Sequence, residues 1–137
     1  MESASGLIPL PAEQRQFGRY RLLYRIAQGG MVAVYLARFA GPGGFEKLVA
    51  IKRIHEHLSV QESFVAMFQD ESRLAARITH PNIAQVLEFG QCGESYFIAM
   101  EYVEGESLAR VLMRMRIPIT VAARIIADAL AGLHAAH

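Results

Sequence analysis

Leu48-Val49-Ala50-Ile51-Lys52 is a short apolar run that ends in a lysine instead of a turn. It reads as a buried strand carrying one charge. Residues two apart on a strand share a face, so Ala50 and Lys52 point one way while Val49 and Ile51 point the other. One face therefore offers a small gap beside an ammonium. That combination suits a ligand with a flat apolar part and an anionic part, because alanine leaves room for the first and lysine is a mobile point charge for the second. Taken alone, the run favours a plainer reading, a lysine snorkelling off a strand end. Its surroundings decide between the two.

Upstream, Tyr20 to Ile26 and Ala33 to Arg38 are β-rich runs joined by Ala27-Gln28-Gly29-Gly30-Met31-Val32, the pattern of an antiparallel hairpin with a glycine-bearing connection. Gly41-Pro42-Gly43-Gly44 is a turn signal that leads into the strand from Leu48 to Ile54. Downstream the period becomes helical from Ser63 to Ile78, gathering Phe64, Met67, Phe68, Leu74, Ala75 and Ile78 on one side. Glu71 falls inside that stripe, about 20° from the direction of Phe64 at roughly 100° per residue. An ionised carboxylate facing a core is costly without a cation. Asp70, Arg73 and Arg77 lie on other faces of the helix, so an ion pair between Glu71 and Lys52 is the expectation, set against a Glu71 at a partly wet boundary or paired with some other base.

His80-Pro81-Asn82 ends the helix, because a residue before proline is pushed out of the α region. Two more strands, Ile83 to Phe89 and Tyr96 to Tyr102, flank the turn from Gly90 to Ser95. Ser107 is placed to cap a short helix from Leu108 to Met115, and Thr120 to cap a longer one that reaches His137. Apolar residues cover that last helix nearly all round, interrupted by Arg124 and Asp128, so it belongs in the middle of something larger.

Composition narrows the classes. The chain has 137 residues, enough for one domain with a core, and a net charge of +1 that implies no electrostatic partner. Basic residues are scattered among acidic ones, which argues against nucleic acid. Cys92 is the one cysteine, so no internal disulfide framework exists, and a reducing, cytoplasmic location is expected. Residues 1–16 carry Ser3, Ser5, Gly6, Pro9 and Pro11 without periodicity and are expected to form a flexible leader, with neither a secretory signal nor an uncharged run of membrane-spanning length. His55 and His57 share a strand-like face with no third ligand near in sequence, and read as loop residues; His134 and His137 read as the polar end of the last helix. Cys92 falls in a turn and is expected to be inert.

A glycine-bearing hairpin, a VAIK strand, a helix with an inward glutamate, two strands and a linker into helices, in that order, resemble the N-terminal lobe of a eukaryotic-like serine/threonine protein kinase of the kind also found in bacteria. The resemblance covers about Phe17 to His137. It implies an α+β fold, a five-stranded antiparallel sheet with the helix that the family calls αC, over residues 17–103 with a hinge at the end. Residues 104–137 would begin a helical C-terminal lobe. It implies ATP as ligand and protein serine or threonine hydroxyls as acceptors. Backbone N–H groups of Ala27, Gln28, Gly29 and Gly30 would cradle the phosphates. Lys52 would bind the α- and β-phosphates, held by Glu71. Ile26, Val34 and Ala50 would enclose the adenine, Glu101 and Val103 would meet its edge through the backbone, Met100 would be the gatekeeper, and Ser107, with Glu106 competing, would contact the ribose. Against the family pattern GxGxxG, Ala27 and Val32 replace the first and third glycines. The motifs HRDxxxxN and DFG, which would supply the catalytic aspartate and the Mg²⁺ ligands, are not in this sequence, so this chain by itself is expected to be inactive. The rival expectation is a pseudokinase or a truncated nucleotide- or protein-binding module.

Overall fold

The alternating apolar runs build one antiparallel sheet in the computed structural model, which describes residues 7–137. Its strands are β1 (Ile8–Pro9), β2 (Gln16–Phe17), β3 (Tyr20–Gln28), β4 (Val32–Ala40), β5 (Glu46–Ile54), β6 (Val86–Cys92) and β7 (Ser95–Glu101). The order across the sheet is β1-β3-β4-β5-β7-β6, with β2 also pairing β3. Short turns close the hairpins. That between β6 and β7 uses Gly93 at φ 59, a left-handed conformation that a side chain would resist. The α+β expectation holds, and two short strands join the five that were expected.

Both faces of this sheet are used. Val34 and Leu36 stand opposite Lys52 and Ala50, which in turn stand opposite Ile98 and Met100, so these six side chains share one face. On the other face Tyr35 and Ala37 stand opposite Ile51 and Val49. There Leu22, Ala37, Val49, Ile51, Phe97 and Ala99 form the larger buried core, and Leu10, Phe17 and Tyr20 close over it. The N-terminal residues are therefore a strap, which corrects the expectation of a flexible leader for residues 7–16; residues 1–6 lie outside the described residues. The correction has a physical cause. Leu10 and Phe17 bury almost completely, Phe17 edge-on against Phe97 at 5.1 Å. Polar ties hold the chain between them: Arg15 Nε donates to the Leu10 carbonyl at 2.9 Å, and the Leu22 N–H donates to the Arg15 carbonyl. Gly18, at φ 56, turns the strap back into β3.

Helix α1 (Glu56–Ser59), which no periodicity announces, precedes α2 (Glu62–Ala76). Helix α2 packs on the first face through Phe68, which joins Ile54 and Ile98 in a second core with Phe64, Val86 and Phe89 around it. Ser72 is buried beside Phe68 and satisfied by donating to the Gln69 carbonyl at 2.7 Å. Ser107 caps α3 (Leu108–Arg114) as expected, accepting from the Arg110 N–H at 3.3 Å. Helix α4 (Ile119–Ala136) starts two residues earlier than expected, with Pro118 instead of Thr120 at its N-cap.

By length and apolar content alone α4 is long enough to cross a membrane. Its Arg124–Asp128 pair, at 3.1 Å, interrupts the apolar surface near the middle. The helix is tied to the rest of the fold at the loop that follows α2: Asn82 Nδ2 donates to the Asp128 carbonyl at 2.9 Å, and buried Gly132 lies so close that a Cβ there would stand 3.3 Å from the Asn82 carbonyl oxygen. The far side of α4, with Ile126, Leu130 and Leu133, is exposed.

Candidate nucleotide-binding site

The first face of the sheet assembles the apolar part of a pocket by register alone. Ala50 stands between Leu36 and Met100 across three strands, and Lys52 between Val34 and Ile98. Alanine between two larger residues leaves a slot, and the lysine two residues on opens beside it. Lys52 is half-buried, and among the described residues no ion pair or side-chain hydrogen bond holds its ammonium.

Glu71 does not reach it. The carboxylate is exposed, and so are Met67 and Leu74, 51% and 64%. The stripe counted from the sequence treated those two as inward. Helix α2 instead turns Phe68 and Ser72 inward, which moves the buried centre by roughly 60° away from Phe64 and leaves Glu71 at its wet edge. The expected Lys52–Glu71 ion pair is therefore absent from this conformation, and the partly wet boundary describes Glu71.

The glycine-bearing connection forms a narrow hairpin end. Gln28 pairs with Ala33, and the Gly29 N–H donates to the Val32 carbonyl at 2.8 Å. Neither Gly29 nor Gly30 has a positive φ, and Ala27 and Val32 sit in ordinary extended backbone. The two replaced glycines are thus accommodated without strain, by continuing the ladder. What glycine retains here is openness: a Cβ at Gly30 would meet nothing within 4 Å.

At the hinge, the Glu101 N–H is spent on the Gln85 carbonyl at 2.8 Å, and the Glu101 carboxylate accepts from the Gln85 N–H at 3.1 Å. Val103 is 65% exposed. A cleft of about 400 Å³ opens between the hairpin and the hinge, bringing together Ile26, Ala27, Val103, Glu106 and Ser107 from the expected set. Leu7, Tyr102, Gly105 and Arg110 also line it. Sequence reasoning missed Leu7, whose position depends on the strap. It also missed a part for His55, expected only as a loop residue; its ring Nε2 lies 2.8 Å from the Gly29 carbonyl oxygen. Gln28, Gly29, Gly30, Val34, Ala50, Met100 and Glu101 do not line that cleft; they follow from it along the hairpin, the sheet face and the start of the hinge.

Among the described residues no group of three His, Cys, Asp or Glu side chains could hold a metal ion. His55 and His57 stack at 5.8 Å as a pair and gain no third ligand.

Known proteins agree with the geometry. The protein kinase domain family matches residues 20–137. The chain is 43% identical over 138 residues to a tyrosine-protein kinase, MasK, of Myxococcus xanthus, covering 97% of this chain and 21% of that protein. It is 36% identical to the serine/threonine-protein kinase pkn2 of Myxococcus xanthus over 88% of this chain and 14% of that protein. Two crystal structures of the Mycobacterium tuberculosis PknI kinase domain, each 26% identical, superpose with TM-scores of 0.74 and 0.72 over 93% of this chain. The chain spans about a fifth or less of those curated relatives, and 51% and 52% of the two PknI chains. From its sheet register, its helix order and these likenesses, the chain belongs to the protein kinase domain family, as an N-terminal lobe with the start of the helical lobe.

Proposed function

We propose that this chain is the ATP-binding part of a protein kinase that transfers the γ-phosphate to protein serine or threonine hydroxyls. The observation that carries the reading is the register of β4, β5 and β7, which sets Lys52 between Val34 and Ile98 next to the slot at Ala50 and Met100. In this reading residues 17–103 are the N-terminal lobe and hinge, and residues 104–137 open the helical lobe. Adenine lies under Ile26 and Val34 against Ala50, with its edge at Glu101 and Val103, and the ribose is near Ser107. Lys52 takes the α- and β-phosphates. Mg²⁺ would neutralise charge on the phosphates when bound, with ligands outside this chain. A cytoplasmic location goes with the reading, supported by the unpaired Cys92.

The test is nucleotide binding to the full-length protein. Lys52→Met is expected to weaken ATP about tenfold or more while leaving adenosine nearly unchanged, since a charge-assisted contact is worth about 1.5–3 kcal/mol. Equal ATP affinity in both proteins would sink the role of Lys52. Phosphoamino-acid analysis of the products separates serine and threonine from tyrosine, an alternative raised by the name of MasK.

A second reading has its own observation. Exposed Glu71 leaves Lys52 without its expected partner, as in a lobe that binds nucleotide and does not catalyse. Nucleotide binding without phosphate transfer to any protein acceptor would favour it.

A further inference from the structure

The tip of the β3–β4 hairpin is held from outside. The His55 backbone N–H donates to the Met31 carbonyl at 3.0 Å, and the His55 ring Nε2 lies 2.8 Å from the Gly29 carbonyl oxygen. One residue thus bridges both limbs of the connection that carries Gly29 and Gly30. His55 follows the last residue of β5, three positions after Lys52, so it ties the tip to the strand that bears the lysine. Its ring is kept in place on the other side by His57, whose ring plane is 15° from parallel with it. Beside it, Arg53 is paired with Glu56 at 3.3 Å, bonded to Ser95 and stacked on Phe17 on the strap side of the sheet.

We infer that His55 is a positioning residue for the glycine-bearing connection, clamping Gly29 and Met31 so that the backbone N–H groups of the tip are held over the phosphate end of the nucleotide site. The inference rests on the reading of Lys52 and the hairpin as the phosphate site. A clamp of this kind supplies what glycine-rich sequence alone does not. Gly30 has open space on its Cβ side, and a Gly-Gly tip has large conformational entropy to lose when it closes on a ligand. Tying both carbonyls lowers that loss before the ligand arrives. Because the carbonyls are the groups tied, the N–H groups at Gly30 and Met31 stay available for an anion.

The ring nitrogen next to Gly29 must carry a proton to donate, and a glutamine side chain can donate in its place. In the full-length protein, His55→Ala is expected to weaken ATP about threefold to tenfold, the equivalent of about one hydrogen bond, with adenosine affinity unchanged. His55→Gln is expected to restore most of the ATP affinity. Hydrogen exchange across residues 27–33 is expected to quicken in the alanine variant and to return toward the parent rate in the glutamine variant. The Lys52→Met protein, measured beside them, separates the two ideas. If it binds ATP as the parent does, the phosphate site itself is misplaced. If it loses ATP while His55→Ala keeps it, or if adenosine and ATP fall together in His55→Ala without recovery in His55→Gln, the clamp is overturned.

Discussion

At the scale of single residues, Glu71 is the most informative. Its position in the helical stripe was legible, but its environment was not, because a stripe of apolar residues defines a face only to within the width of a side chain. Met67 and Leu74 are apolar and stay in water, while Ser72 is polar and buried because its hydroxyl finds the Gln69 carbonyl. A count of apolar residues therefore points the helix wrongly by more than half a turn's quarter, enough to swing a carboxylate from core to solvent. An exposed, unpaired side chain contributes little to stability. Glu71→Ala is expected to change the unfolding free energy by less than about 0.5 kcal/mol in a urea titration. In the full-length protein, the phosphate transfer proposed above is expected to fall in the same variant, because protein kinases use a glutamate at this place against the lysine. A loss of several kcal/mol on unfolding would instead show that Glu71 is buried in solution. Lys52 was legible together with its slot at Ala50, since both follow from alternation on one strand.

Among the elements, the long strands were the readable part, because β-branched and aromatic runs bounded by glycine turns leave few alternatives. Their ends moved: the strand expected at Ile83 to Phe89 runs from Val86 to Cys92, and its partner begins at Ser95. The pairing itself explains the shift, since Cys92 and Ser95 close the hairpin around Gly93 in a way that no single strand specifies. The same hairpin holds a sharp packing constraint. A Cβ on Gly90 would lie 2.6 Å from Cζ of Phe97, and that ring is fixed by Phe17 at 5.1 Å and by Tyr20 at 5.7 Å. Gly90→Ala is expected to cost about 1–3 kcal/mol by overpacking, read from the shift of a denaturant midpoint. Wild-type stability in that variant would mean that the Phe97 ring is free to move aside.

For the molecule as a whole, the strap is what sequence reading could not supply. Residues 7–16 hold two prolines and no period, and nothing local marks Leu10 and Phe17 as anchors; their partners are Phe97, Ile51 and other residues far along the chain. Docking of this kind is a property of the finished sheet. Phe17 lies under the Arg53 guanidinium at 4.8 Å as well as against Phe97, so truncating it removes a buried ring and a cation–π contact together. Phe17→Ala is expected to destabilise by about 3–5 kcal/mol, and to raise binding of an apolar dye as the second face of the sheet is uncovered. A variant that unfolds at the parent's midpoint would show that the strap carries none of the stability assigned to it. There is also a consequence in time. A ribosome releases Leu10 and Phe17 long before it has made Phe97, and a contact between such distant residues waits for the chain that separates them. During synthesis the hairpin of β3 and β4 is free to form early, while Leu10 and Phe17 wait until β7 arrives, so a strap made before the hairpin is seated after it.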